Sequence, residues 1–187
     1  MKRIIVAISG ASGAIYGIRL LEEMRDAGVE THLVISRSAQ ITIAHETDYS
    51  LSHVQKLAAH FYSTTDLSAH IASGSFKTDG MVIAPCSMKS LAEIATGNST
   101  TLLTRAADVI LKERRRLVLM PRETPLHSIH LRNMLTLSDM GVIIAPPVPA
   151  FYSKPASLEQ MVDHTVGRIM DLFDIENSIV NRWEGIT

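Results

Sequence analysis

Ile4-Ile-Val-Ala-Ile8 runs straight into Ser9-Gly-Ala-Ser-Gly13 and then into Ala14-Ile-Tyr-Gly-Ile-Arg-Leu-Leu21, with no spacer between the three. The apolar run predicts a strand over Arg3–Ser9, and the spacing of Ile15, Ile18, Leu20 and Leu21 predicts a helix over Ala14–Ala27 that stops at Gly28. A strand, a glycine turn and a helix start in immediate succession make a ready anion site. The first helical N–H groups lack partners, and the positive end of the helix dipole stands behind them. Gly10 and Gly13 let the backbone bend and approach a ligand, and the Ser12 hydroxyl can donate to a phosphate. The spacing is Gly-x-x-Gly, not the Gly-x-Gly-x-x-Gly of dinucleotide binders. A mononucleotide or other phosphate ligand is therefore favoured over NAD, and a tight turn with no ligand is the alternative.

The same alternation continues along the chain. Thr31–Ser36, Gly80–Ala84, Leu117–Met120 and Gly141–Ala145 read as further strands, the last three stopped by Pro85, Pro121 and Pro146 because proline cannot donate to a ladder. Ser38–His45, Leu51–His60, Leu67–Ser73 and Leu158–Phe173 read as helices, with Ser50 capping the second and Leu158, Met161, Val162, Ile169 and Leu172 at core spacing in the last. Strands alternating with helices predict an α/β fold, a Rossmann-like three-layer doubly wound parallel sheet, over one domain spanning 1–187. Ligands in such sheets bind at the carboxyl ends of the strands. The loops at Ser36–Arg37, Pro85–Lys89, Pro121–Pro125 and Pro146–Pro155 are thus expected to converge with the glycine turn.

Composition narrows the class. The chain has 187 residues, 46% of them apolar and 20% charged, with a formal charge of −1. That balance offers no electrostatic argument for nucleic acid or an anionic membrane. A single cysteine, Cys86, excludes an intrachain disulfide and fits a reducing compartment, and no uninterrupted apolar span of about 20 residues occurs. Cytoplasmic is the default expectation.

Several segments carry chemistry or its plain structural counterpart. In Pro85-Cys-Ser-Met-Lys-Ser90, Ser87 looks like an N-cap and Ser90 could donate to a ligand. Cys86 has no histidine close in sequence to activate it, so it reads as buried and structural. Lys112-Glu-Arg-Arg-Arg116 ends a helical stretch that begins near Thr101 and complements its dipole. Arg105 lies seven positions before Lys112 on the same face, so both could address one anion. Pro121-Arg-Glu-Thr-Pro125 pins Arg122, suited to phosphate, beside Glu123, a potential acid or base. Pro146-Pro-Val-Pro-Ala-Phe-Tyr152 is a stiff apolar loop, either an interface or a pocket wall. The eight histidines show no ligand spacing: His127 and His130 are three apart without a third donor, so no metal is expected.

Together these segments resemble the UbiX-like flavin prenyltransferases. The resemblance rests on Ser9-Gly-Ala-Ser-Gly-Ala-Ile-Tyr-Gly17, Glu46-Thr-Asp48, Ser73-Gly-Ser75, Pro85-Cys-Ser87, Arg105-Ala-Ala-Asp108 and Leu111-Lys-Glu-Arg-Arg115. Pro121-Arg-Glu-Thr-Pro125, Pro149-Ala-Phe-Tyr152 and Arg182-Trp183 complete the series. It implies transfer of a dimethylallyl group from dimethylallyl monophosphate to reduced FMN, without a metal, giving prenylated FMN for a UbiD-type decarboxylase of aromatic or unsaturated acids. It also implies a homo-oligomer, a dodecamer, with sites at subunit junctions.

The resemblance assigns Gly10, Ala11, Ser12, Ser36, Ser87, Met88, Lys89, Ser90 and Arg122 to FMN, and Arg105, Lys112, Glu123, Tyr152 and Arg168 to the donor phosphate. Glu123, Ser12, Glu46, Lys112 and Trp183 would be catalytic. Chemistry agrees, since cleaving an allylic C–O bond needs cations for the phosphate and π faces for the carbocation-like fragment. Two rivals share parts of this pattern. An FMN-dependent cysteine decarboxylase would be expected to carry a Pro-x-Met-Asn-type motif where this chain has Pro85-Cys-Ser-Met-Lys89. A non-catalytic FMN carrier would not need Arg105, Lys112, Glu123 and Arg168 as a set.

Overall fold

The computed structural model describes residues 1–180, 182, 183 and 185. Among these, six strands form one parallel sheet: β1 (Arg3–Ile8), β2 (Glu30–Ile35), β3 (His60–Tyr62), β4 (Gly80–Cys86), β5 (Arg116–Pro121) and β6 (Ile143–Ile144). Their spatial order is β3-β2-β1-β4-β5-β6. The chain steps outward from β1 to β3, returns to the centre and steps outward the other way, which is the doubly wound arrangement.

Side chains alternate across the pleat, so a strand buried on both faces reads as one apolar run. Ile4, Val6 and Ile8 pack with α1 (Ala14–Asp26), α2 (Arg37–Glu46), α3 (Leu51–Leu57) and α7 (Leu158–Asp171). Ile5 and Ala7 pack on the other side with α4 (Met88–Ala95), α5 (Leu102–Lys112) and α6 (Ser128–Asp139). This three-layer build puts every carboxyl end of the sheet on one edge.

Backbone hydrogen bonds stitch that edge together where the chain leaves the strands. Ser36 N–H donates to Ile8 O at 3.0 Å, Ser9 N–H to Pro85 O at 3.2 Å, Arg122 N–H to Cys86 O at 3.2 Å and Ala145 N–H to Leu119 O at 2.8 Å. The buried Ser9 hydroxyl adds a second link at the point where strand order reverses. It donates to Pro85 O at 2.9 Å and accepts Ser87 N–H at 2.7 Å.

Pro85 does not stop its strand but lies within it, while β5 ends at Pro121, which still pairs with Cys86 after a register shift. Proline lacks a donor, yet its carbonyl accepts, as Pro85 O does twice. The helix expected over Leu51–His60 ends at Leu57, and His60-Phe-Tyr62 instead forms an edge strand against His32–Val34. Leu67–Ser73 holds only a short 3-10 turn at His70–Ala72. There Asp66 Oδ1 accepts both Ser68 N–H and its hydroxyl, a local competitor to helix. The last strand shortens to Ile143–Ile144. In α7 the buried face is carried by Val166, Ile169 and Met170, while Leu158 is 76% exposed.

Replacing Ser9 by alanine should leave the Ser87 N–H without its acceptor and lower stability by about 1–3 kcal/mol, the usual cost of an unsatisfied donor. Urea denaturation of the purified Ser9→Ala variant checks this through the shift in midpoint.

Candidate active site

Three strand–helix junctions stand side by side on the carboxyl edge, in the order β2–α2, β1–α1, β4–α4. Two are closed by serine caps. Ser36 Oγ accepts Ala39 N–H at 3.1 Å, and Ser87 Oγ accepts Ser90 N–H at 3.2 Å. Each hydroxyl also lies 3.2 Å from a second one, Ser38 for Ser36 and Ser90 for Ser87. The middle junction differs. The N-cap of α1 is Gly13 in the left-handed conformation, φ 97°, and it brings no side chain to its own helix start. Tyr16 N–H turns back to Gly13 O at 3.1 Å, but Ala14 and Ile15 N–H make no hydrogen bond among the described residues and have the helix dipole behind them, which is the arrangement that receives an anion.

Two contacts set the shape of that turn. A Cβ on Gly10 would overlap the Cβ and Oγ of Ser38, so the β1–α1 turn touches the first turn of α2. Glu46, the last residue of α2, donates nothing but accepts Gly13 N–H through Oε2 at 2.8 Å. A carboxylate at a helix N-terminus is electrostatically favoured, which accounts for its position. Ser38 and Ser9 are the site-shaping residues that sequence reading passed over. Their signal was weak, a serine two places after a strand end and a serine opening a glycine turn.

Arg122 and Glu123 follow β5 on the same edge, and both side chains are exposed. Glu123 Oε1 accepts Thr124 N–H at 3.0 Å. Arg122 makes no side-chain hydrogen bond among the described residues. Exposed Lys89 lies 3.8 Å from Glu93 on α4, in an ordinary i,i+4 pair. Cys86 is fully buried, and burial pushes its thiol up to about 12, so it is no nucleophile near neutrality.

The remaining residues expected at the site fall into two groups on opposite faces of the sheet. On the α4–α6 side, Arg105 donates to Ala72 O at 3.2 Å and to Asp108 at 2.8 Å, and Lys112 pairs with Glu113. Arg115 donates to Gly74 O and Phe76 O at 2.7 and 2.8 Å, so this basic face also grips the 72–76 loop. On the α1–α7 side, Tyr152, Arg168, Val180, Arg182 and Trp183 line a cavity of about 400 Å³. Tyr152 and Trp183 meet edge to face, with ring centroids 5.6 Å apart. Arg168 and Arg182 share Asp171, at 2.6 and 2.9 Å, and these partners hold its carboxyl below the usual range, Arg182 foremost. One chain thus separates the α5 cations from the α7 cavity.

The histidines behave differently from their spacing. His127 is the N-cap of α6, outside the helix, and its ring stacks on His130 at 3.5 Å. Register rather than spacing brings Glu30, His32 and His60 together at the opposite, amino edge.

The family model described as Flavoprotein matches residues 1–184. A Bacillus subtilis (strain 168) protein named "Probable UbiX-like flavin prenyltransferase" is 59% identical over 184 residues, 98% of this chain and 90% of that protein. The crystal structure of AnUbiX (PadA1) in complex with FMN and dimethylallyl pyrophosphate superposes with a TM-score of 0.98 at 52% identity, covering 100% of this chain and 99% of that one. A dodecameric FMN-dependent UbiX-like decarboxylase from Escherichia coli O157:H7 gives a TM-score of 0.96 at 50% identity, covering 98% and 100%.

The Gly10–Ser38 contact makes a direct test of the turn. Gly10→Ala should destabilise the protein by about 1–3 kcal/mol through overpacking. Adding Ser38→Gly should recover much of that loss, because the colliding atoms are gone. A double-mutant cycle in urea should therefore show coupling, whereas additive effects would mean that the two turns do not touch.

Proposed function

Since the chain belongs to the UbiX-like flavin prenyltransferase family, its activity is prenyl transfer to FMN, and we propose that residues 1–187 perform it as a single domain. The observation that carries the site assignment is the uncapped first turn of α1, flanked on one edge by Ser36, Ser87 and Arg122. These residues fit a flavin mononucleotide. The Ser12 hydroxyl and the unpaired first-turn N–H groups of Ala14 and Ile15 suit its phosphate, and a side chain at Gly10 would fill the turn. Ser36, Ser87 and Ser90 offer hydroxyls along the edge, Met88 an apolar contact, and Arg122 and Lys89 positive charge. Reduced FMN supplies the electron-rich ring that receives the dimethylallyl group, and no metal is assigned to this chemistry.

The chain's own residues have separable tasks. Arg105, Lys112, Tyr152 and Arg168 bind the donor phosphate and stabilise the charge that grows on it as the C–O bond breaks. Trp183, edge to face with Tyr152, gives an aromatic wall for the isoprenoid fragment. Glu46, fixed on Gly13 N–H, and Ser12 lie beside the flavin position, and Glu123 holds the proton that is exchanged during transfer. Because Arg105 and Lys112 lie across the sheet from Arg168, one phosphate can meet all of them only between two copies of the chain. Exposed Ile129, Leu131 and Leu135 on α6, with Val148 and Phe151 beyond it, offer apolar surface for such contacts, and a dodecamer is the proposed assembly.

A UbiD-type decarboxylase is the proposed recipient of the product. No described helix is long and apolar enough to cross a membrane. With its one cysteine buried and free, the proposed location is the cytoplasm. The carrier reading explains the flavin contacts but not the paired cations. The cysteine-decarboxylase reading lacks its Pro-x-Met-Asn-type motif here.

Incubating the protein with reduced FMN and dimethylallyl monophosphate should raise the flavin mass by one C5H8 unit. Glu123→Gln should bind FMN normally yet slow single-turnover transfer by roughly 10²–10⁴-fold, the usual worth of general acid–base help. An unchanged rate would reduce Glu123 to a structural neighbour of Arg122. FMN bound without any mass gain in the wild type would favour the carrier.

A further inference from the structure

The amino edge of the sheet carries a second constellation, remote from the carboxyl-edge site. Glu30 and His32 are two apart on β2 and share a face, and His32 pairs in register with His60 on the edge strand β3. His32 Nε2 lies 3.0 Å from Glu30 Oε1, and His60 Nε2 lies 3.7 Å from the same oxygen. All three donor atoms fall within 4.8 Å of one another. The two imidazoles stack with centroids 4.7 Å apart.

We propose that Glu30, His32 and His60 form a binding site for a divalent transition ion of the zinc type. Two imidazoles and one carboxylate are a common zinc donor set, with metal–ligand distances near 2.0–2.1 Å. A tetrahedral centre with such bonds places its donors about 3.3 Å apart, between the two separations seen here. His32 is held for the task. Its side chain is 2% exposed, and Nδ1 lies 2.9 Å from Tyr62 Oη, the outer-shell partner that fixes a ligating ring. Without an ion, Nε2–H donates to Glu30 Oε1; an ion would displace that proton, leaving Nδ1–H to donate to Tyr62 and the Nε2 lone pair to bind the metal. His60 is 53% exposed, so a fourth position opens to water.

Arg3 also holds Glu30, with Nε on Oε1 and a terminal nitrogen on Oε2, both at 2.9 Å. A carboxylate has about four lone-pair directions, so Oε2 can stay on Arg3 while Oε1 turns to a metal. The Arg3–Glu30 ion pair needs no histidine, and a hydrogen bond accounts for His32 alone, which leaves the approach of His60 Nε2 to the same oxygen for the ion to explain. An ion there would tie the three-residue β3 to β2 and brace the sheet edge.

The test uses chelator-stripped, assembled protein titrated with Zn²⁺ by calorimetry and with Co²⁺ by visible absorbance. One ion per chain and a tetrahedral Co²⁺ spectrum are expected. His60→Ala, at an exposed position, and Glu30→Gln should each weaken uptake by about 10–100-fold, while His127→Ala should leave it unchanged. Prenyl transfer by His60→Ala should equal that of the wild type, which separates this site from the carboxyl-edge chemistry. Absence of uptake, or uptake indifferent to His60→Ala, would overturn the proposal.

Discussion

The carboxyl edge depends on one buried hydroxyl. Ser9 Oγ sits where strand order reverses, donating to Pro85 O and accepting Ser87 N–H. In doing so it joins the start of the α1 turn to the start of α4, two segments separated by most of the first half of the chain. A hydrogen bond of this kind adds only about 1 kcal/mol net, but its position matters more than its strength. It holds two helix N-termini side by side across the crevice where doubly wound sheets bind ligands. Ser36 and Arg122 then take their places through backbone bonds to Ile8 and Cys86.

On this edge, capping and ligand binding are complementary uses of the same unpaired N–H groups. α2 and α4 close their starts with Ser36 and Ser87. α1 has a glycine there, and the chain supplies Glu46 from another helix to one N–H only. Of the others, Tyr16 N–H turns back to Gly13 O, which leaves Ala14 and Ile15 N–H unpaired among the described residues. The helix that lacks its own cap is the one whose turn is proposed to hold the flavin phosphate.

Much of this was legible from residue patterns. The run Ile4–Ile8 followed by Gly10 and Gly13 specified strand, turn and helix locally, because apolar periodicity and glycine each act over a few residues. Ser50 and Ser87 were recognisable caps for the same reason. What stayed hidden was set by register and long-range pairing. The His60–Tyr62 strand is too short to declare itself without β2 beside it, and Glu30, His32 and His60 meet only through that pairing. Pro85 misleads because proline counts as a missing donor, while its carbonyl accepts both the Ser9 N–H and the Ser9 hydroxyl. The separation of Arg105 and Lys112 from Arg168 was equally invisible, since it depends on which layer each helix joins. Resemblance placed them in one site; the layers place them on opposite faces.

That separation leads to the central claim, that the donor site is completed between chains. The most direct measurement is complementation in mixed oligomers. Arg105→Ala and Arg168→Ala chains, each carrying a different affinity tag, are co-expressed, purified through both tags and assayed for flavin prenylation. Each variant alone should bind FMN but transfer poorly. In the mixture some junctions pair an intact Arg105 from one chain with an intact Arg168 from the other, and activity should return. A doubly tagged oligomer that binds FMN and remains as inactive as either parent would contradict the account.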